Sequence, residues 1–267
     1  MHQEDNYTDQ TQYGIFFLLE RIARSHPLIY IFSRYLANKL LIFEADFNGV
    51  KKIKFNKKIN IIDIGASDGI ATKFLKKKLS VNKVFAFEPD NSYFKKLKKL
   101  KIKNLKIYNY GLSSKKQKIK IYVPRYKLFN KKFDIITYAY YDKQHLRKVL
   151  DKNFFFAKKI KIVSKNISLR KPIIFKDNID LIKIDVNGHE FEIVKSMKTT
   201  ITKCRPVIIL EELTKIEKIS SYLRKHKYKC YYYNYKKDEL LIYKKNLSNP
   251  LNFFFISSNY KIKNEKN

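Results

Sequence analysis

The chain has 267 residues, 45% of them hydrophobic, a formal net charge of +34 and only two cysteines. That length holds one large domain with an appendage or two small ones, and the apolar share is enough for a sizeable core. Two cysteines, Cys204 and Cys230, exclude a disulfide-stapled scaffold and a cysteine-built zinc site, so a reducing cytoplasm is the expected location.

The chain opens on MHQEDNYTDQTQ, which lacks the basic-then-apolar order of a signal peptide. No run reaches the ~18 apolar residues that a spanning helix needs. Residues 13–25 show helical spacing through Ile15, Phe16, Leu18, Leu19, Ile22 and Ala23. Ser25-His26-Pro27 interrupts them, and Pro27 suits the first turn of a second helix reaching about Leu41. Leu28, Ile31, Phe32, Tyr35, Leu36 and Leu40 fall on one side of it, which reads as a stripe docked on the main domain.

From residue 59 strands and helices alternate. NIIDIG is a short buried strand and 69–79 a helix; KVFAFEP (83–89) is a strand, 91–101 a helix, and LKIYNYG (105–111) a third strand. This order predicts a parallel sheet with helices on its faces. QKIKIYVP (117–124) alternates like a surface strand pairing at a sheet edge. Residues 125–160 show no clear period beyond some helix near 142–151. DLIKIDVNG (180–188) and RPVIILEE (205–212) read as strands, each followed by a helix. KYKCYYYN (227–234) and LLIYKK (240–245) read as an antiparallel hairpin at the sheet end. The last stretch holds FFFI (253–256), either tucked against the core or mobile. The expected organisation is an N-terminal helical extension (1–50), a cofactor-binding domain (51–245) and a C-terminal tail (246–267).

The chemistry concentrates in Asp63-Ile64-Gly65-Ala66-Ser67-Asp68-Gly69. Gly69 precedes Ile70 rather than Lys, so this is not a P-loop for nucleoside triphosphates. Only Gly65 and Gly69 are present, so the middle glycine of a dinucleotide fingerprint is missing. Asp63 at the strand end would repel a pyrophosphate and suits a cationic ligand. Glu88 ends the next strand, about twenty residues on, where a carboxylate can accept from both hydroxyls of a ribose. A ribose, close backbone approach and positive charge together describe S-adenosylmethionine.

Four segments, IIDIGASDGIAT (61–72), FAFEPD (85–90), NYGLSS (109–114) and DLIKIDVNGHE (180–190), followed by RPVIILEE, resemble the FkbM-like S-adenosylmethionine-dependent methyltransferases. The resemblance covers roughly residues 59–245. Asn187 stands where that family usually has Glu, and Ser67 where it often has Asn. The resemblance implies an α/β fold: a Rossmann-like class I methyltransferase sheet, mostly parallel, with an antiparallel hairpin at its end, plus the N-terminal helices. It implies that Asp63, Gly65, Ala66 and Gly69 line the methionine end of the cofactor, that Glu88 holds the ribose, and that Gly111 and Leu112 lie by the adenine. It also implies a hydroxyl acceptor on a sugar, glycan or secondary metabolite.

A hydroxyl acceptor gains from a general base. Asp185, His189 and Glu211 are the candidates, because they lie at the carboxyl ends of strands, where such sheets bind ligands. Each has a structural alternative: Asp185 could cap a helix and His189 could be a hydrogen-bonded structural residue. The three could together hold a divalent cation, but spacing alone does not show this and no metal is assigned. The lysines are spread along the chain rather than blocked, so lysine filling solvated positions accounts for the charge. A nucleic acid, or peripheral contact with a membrane, is the alternative partner that +34 raises.

Overall fold

The computed structural model describes residues 26–41, 43–128, 130–135, 138–211, 215–245 and 250–263. The helix expected at 13–25 lies outside the described residues. Helix α1 is Pro27–Leu40, and a 3₁₀ segment follows at Ala45–Lys52. Strands β1 (Ile53–Lys54) and β2 (Ile59–Ile64) lead to α2 (Ile70–Lys78), β3 (Val81–Phe87), α3 (Asn91–Lys98) and β4 (Leu105–Tyr108). Next come β5 (Gly111–Leu112), β6 (Gln117–Leu128), β7 (Lys131–Asp134), α4 (Lys143–Asn153) and β8 (Lys161–Arg170). Then β9 (Leu181–Ile184), α5 (Glu190–Ser196), α6 (Lys198–Cys204), β10 (Val207–Leu210) and α7 (Ile216–Arg224) complete the alternation. Strands β11 (Tyr228–Asn234), β12 (Glu239–Ile242), β13 (Phe253–Ser257) and β14 (Lys261–Ile262) close the chain.

The chain forms two compact units, residues 1–42 with 121–165, and residues 43–120 with 166–267. The larger unit holds an eight-stranded sheet in the order β12-β11-β13-β10-β9-β2-β3-β4. Strands β4, β3, β2, β9 and β10 are parallel. β13 is antiparallel to both β10 and β11, and β12 is antiparallel to β11. The fold is thus mixed α/β with a mostly parallel main sheet and antiparallel end strands. Among the parallel strands, chain order runs outward in opposite directions from the β2–β9 pair, which makes that pair the topological switch point, where open sheets of this type bind ligands.

Both faces of the sheet are buried, which explains why its strands read as apolar runs rather than alternations. Ile62, Ile64, Ile182, Ile184, Ile208 and Leu210 pack on one face with Ile193, Met197, Ile219 and Leu223 of the following helices. Ile61, Leu181, Val207 and Ile209 pack on the other with Phe47, Val50, Phe74 and Leu75. Asp63 and Lys183 share the parity of this second face and stand opposite each other in the β2–β9 register.

Two readings need correction. FFFI does pack into the core, one of the two alternatives, but as a strand and not a tail: Phe253–Ser257, every residue buried, is inserted between β10 and the β11–β12 hairpin. Its Phe253 and Phe255 point to one face and Phe254 and Ile256 to the other. The strand expected at 117–124 is longer, and it forms a hairpin with β7 (Arg125↔Asp134 to Leu128↔Lys131) instead of edging the main sheet. Arg125 and Asp134 reinforce that pair at 2.6 Å.

In the smaller unit α4 is capped by Asp142, whose carboxylate accepts from the amides of Gln144 and His145. Leu146, Leu150, Phe154, Phe156 and Ile160 make its core. Helix α1 joins that core through Tyr30, whose ring lies edge-on to Tyr138 and Phe154. Of the remaining α1 stripe, Leu28, Phe32, Tyr35, Leu36 and Leu40 are exposed.

Candidate active site

The turn from β2 to α2 is held by three left-handed residues, Gly65 (φ 78°), Ser67 (φ 50°) and Gly69 (φ 81°). A Cβ on Gly65 would come within 1.9 Å of the Asp185 carbonyl oxygen, so the loop backbone lies directly against the end of β9. A Cβ on Gly69 would collide with Leu97 and Leu100, which ties the α2 start to α3. Ala66 packs with Ala86 and Leu97. These residues shape the loop.

Glu88 ends β3, is 5% exposed, and closes on this loop. One carboxylate oxygen accepts from the Ser67 amide and the other from the Asp90 amide, both at 2.8 Å. Asp90 in turn caps α3 by accepting from the amides of Ser92 and Tyr93. A carboxylate has about four acceptor positions, so Glu88 keeps two beyond those amides. Burial pushes its pKa up to about 7 against the pull of the two amides. Beside it, Ser67 Oγ is buried without a hydrogen-bond partner.

Lys183, in the central strand β9, joins both sides of the switch point. Its ammonium donates to the Gly65 carbonyl at 3.1 Å and to Asp185 Oδ2 at 3.1 Å, and lies 3.4 Å from Asp63 Oδ1. Burial alone would lower its pKa, but Asp185 and Asp63 outweigh that and hold it charged. Asp63 is fully enclosed and accepts from Thr72 Oγ1. The expectation that Asp63 meets a cationic ligand is therefore corrected: its charge is used internally, by Lys183 and Thr72.

Glu44 and Glu211 also interact with Lys183. Glu44 and Asp46, before β1, are held by Asn252: its side-chain amide donates to Glu44 at 2.6 Å and to Asp46 at 3.1 Å, and its backbone N–H to Asp46 at 2.8 Å. Glu44 is pushed up to about 7, first by burial and then by Asp46. Glu211, at the end of β10, is raised well above the usual carboxylate range by burial, then by Asp185 and Glu44. Lys183 pulls the other way on Glu211.

His189 is placed differently. It stands at the start of α5 with Nε2 3.4 Å from Ser113 Oγ, and burial lowers its pKa, with Glu192 opposing and Lys215 adding. Asp185 and Glu211 are thus brought together, while the groups acting on His189 are Glu192 and Lys215. Among the described residues no group of three or more His, Cys, Asp or Glu is arranged to hold a metal. Glu190 accepts from the amides of Val186 and Gly188, closing the turn in which Asn187 has φ 55°. That backbone suits Asn better than the Glu of the resembled family.

Gly111 and Leu112 form β5, paired in parallel with Leu169 and Arg170 of β8. A Cβ on Gly111 would meet Leu169 at 2.7 Å, and Leu112 is 1% exposed, so both are packed wall residues. Nearby, Tyr108 stacks on Phe87 and the Arg170 guanidinium lies over Tyr110.

The profile of the methyltransferase FkbM domain matches residues 63–230. The chain belongs to the FkbM methyltransferase family. Its strand order and switch-point site are those of a Rossmann-like sheet. Among solved structures it is similar to the FkbM methyltransferase of Methylobacillus flagellatus KT, at 14% identity and TM-score 0.47, covering 76% of this chain and 44% of that one. It is also similar to a precorrin-6y C5,15-methyltransferase of Geobacter metallireducens GS-15, at 14% identity and TM-score 0.39 over 81% of this chain and 89% of that one. TrmK of M. capricolum, in complex with S-adenosylhomocysteine, matches at 14% identity and TM-score 0.36 over 84% and 70%. The chain thus spans less than half the length of the M. flagellatus protein. No curated protein matches it.

S-adenosylmethionine is the family's methyl donor, and the residues present fit it. Glu88 has acceptor capacity for a ribose diol, the left-handed loop leaves room for close backbone approach, and the carboxylates gathered about Lys183 suit a cation. Sequence reasoning missed Lys183, Glu44, Asp46 and Asn252. Lys183 had a readable signal, a lysine amid the apolar residues of DLIKID at the same parity as Asp63. Glu44 and Asn252 lie 208 residues apart and outside the segments that carry the resemblance.

Proposed function

We propose that this protein O-methylates a hydroxyl on a sugar, glycan or related secondary metabolite. The observation that carries the reading is the buried Lys183, which joins Asp185, Asp63 and the Gly65 carbonyl at the end of β9 next to a loop closed by Glu88, with Glu211 at the end of the neighbouring strand. S-adenosylmethionine, when bound there, would supply an electrophilic methyl group for the acceptor oxygen. Glu88 orients the ribose through its two remaining acceptor positions. Lys183 holds Asp185 and the Gly65 carbonyl in place, fixing where the loop meets β9. Glu211, more basic than an ordinary carboxylate because of burial and its acidic neighbours, takes the hydroxyl proton as the new C–O bond forms. Positioning supplies much of the remaining acceleration.

The test is transfer of a radiolabelled methyl group from S-adenosylmethionine into glycan-rich cell-envelope extract, with RNA in parallel. Label in the glycan fraction, lost in Glu211→Gln while cofactor still binds, is the expected result. Label in RNA alone would replace this acceptor class with a polynucleotide. Full turnover by Glu211→Gln would remove that residue as base.

A further inference from the structure

Helix α1 shows an apolar stripe that a soluble helix normally hides. Phe32 is 64% exposed, Tyr35 63%, Leu40 55% and Leu28 45%, with Leu36 also open. Their spacing places them on one side of the helix. The helix is anchored through a different residue, Tyr30, on Tyr138 and Phe154. Next to that anchor Phe155 is 73% exposed, and Lys158 and Lys159 follow it in the chain.

The charges of this unit are mostly of one sign. Helix α1 carries Arg34 and Lys39 and no acid. In the described residues of its unit, fourteen lysines and arginines stand against three acids, Asp134, Asp142 and Asp151. Asp134 is paired with Arg125 and Lys165, and Asp151 faces Arg147. Fourteen residues span about 21 Å, and among the described residues no helix is long and apolar enough to cross a membrane. An apolar helix face in a unit with this excess of cations is the complement of an anionic bilayer surface. A second copy of this chain is a poorer occupant, because two copies each carrying +34 repel.

We propose that this unit docks the protein on anionic lipid, with α1 lying in the interface and Phe32, Tyr35, Leu36 and Leu40 between the headgroups. The test is sedimentation of the full chain with vesicles of phosphatidylcholine alone, or mixed with phosphatidylserine, at about 0.15 M salt, where distant charges are screened. Binding only to the phosphatidylserine vesicles is expected. The neutral double substitution Phe32→Ser/Leu36→Ser leaves the charge unchanged and should weaken that binding tenfold or more by removing apolar insertion. Its urea midpoint and S-adenosylhomocysteine affinity should match the unsubstituted chain, since both positions are surface-exposed. Lys158→Glu/Lys159→Glu should weaken binding through charge. No binding to anionic vesicles, or undiminished binding by Phe32→Ser/Leu36→Ser, would overturn the proposal. So would self-association without vesicles that the same substitution abolishes, because the stripe would then be a contact between copies.

Discussion

Lys183 is the buried cation that links Asp63, Asp185 and the Gly65 carbonyl across the switch point. Lys183→Met should destabilise the fold by about 3–5 kcal/mol, since it leaves the enclosed Asp63 without its ion partner. A urea midpoint indistinguishable from that of the unsubstituted chain would contradict this. Glu88 gives a second outcome at this scale, with a pH signature. Its carboxyl is protonated below about 7 and ionised above. Ribose hydroxyls donate to the ionised form, and protonation puts a donor where an acceptor is needed. S-adenosylhomocysteine affinity should therefore fall as pH drops through about 7, and Glu88→Gln should bind about tenfold or more weaker with that pH dependence flattened. Calorimetric titration across this range checks it; a persistent inflection in Glu88→Gln would assign the dependence to another group. Glu88 and the glycines were legible in the sequence because a βα turn leaves few ways to close. The pairing of Glu44 with Asn252 was not, because it depends on the tertiary meeting of two distant segments.

At the scale of elements, strands buried on both faces announced themselves as apolar runs, and β2, β3, β9 and β10 follow that logic. β13 obeys it too. Nothing local distinguishes a central strand near the chain end from an apolar tail, since only its neighbours β10 and β11 define its place. Phe254 is 0% exposed and packs among Phe47, Ile209 and Tyr231. Phe254→Ala should cost about 3–5 kcal/mol, the range for emptying a well-packed aromatic site. Loss of under about 1 kcal/mol by chemical denaturation would place the segment at a forgiving edge. β8 escaped sequence reading for the opposite reason: most of its residues are partly or fully exposed, so no apolar run marks it. Helix α1 was legible as a helix, but its apolar stripe was misread as a buried face, because helical spacing does not say what covers it.

For the molecule as a whole, a net charge of +34 coexists with a local cluster of carboxylates about Lys183. The two have separate physical consequences. Lysines on the surface produce salt-dependent adsorption to any polyanion, which says little about catalysis. The carboxylates at the end of β9 and β10 oppose that sign locally and favour a small cation beside a ribose. The most direct measurement is therefore calorimetric titration of the full chain with S-adenosylmethionine and S-adenosylhomocysteine, alongside Glu88→Gln. Saturable binding of both, weakened in Glu88→Gln, is the predicted result. A folded protein that binds neither would contradict the assignment of the β2–β9 switch point as the cofactor site.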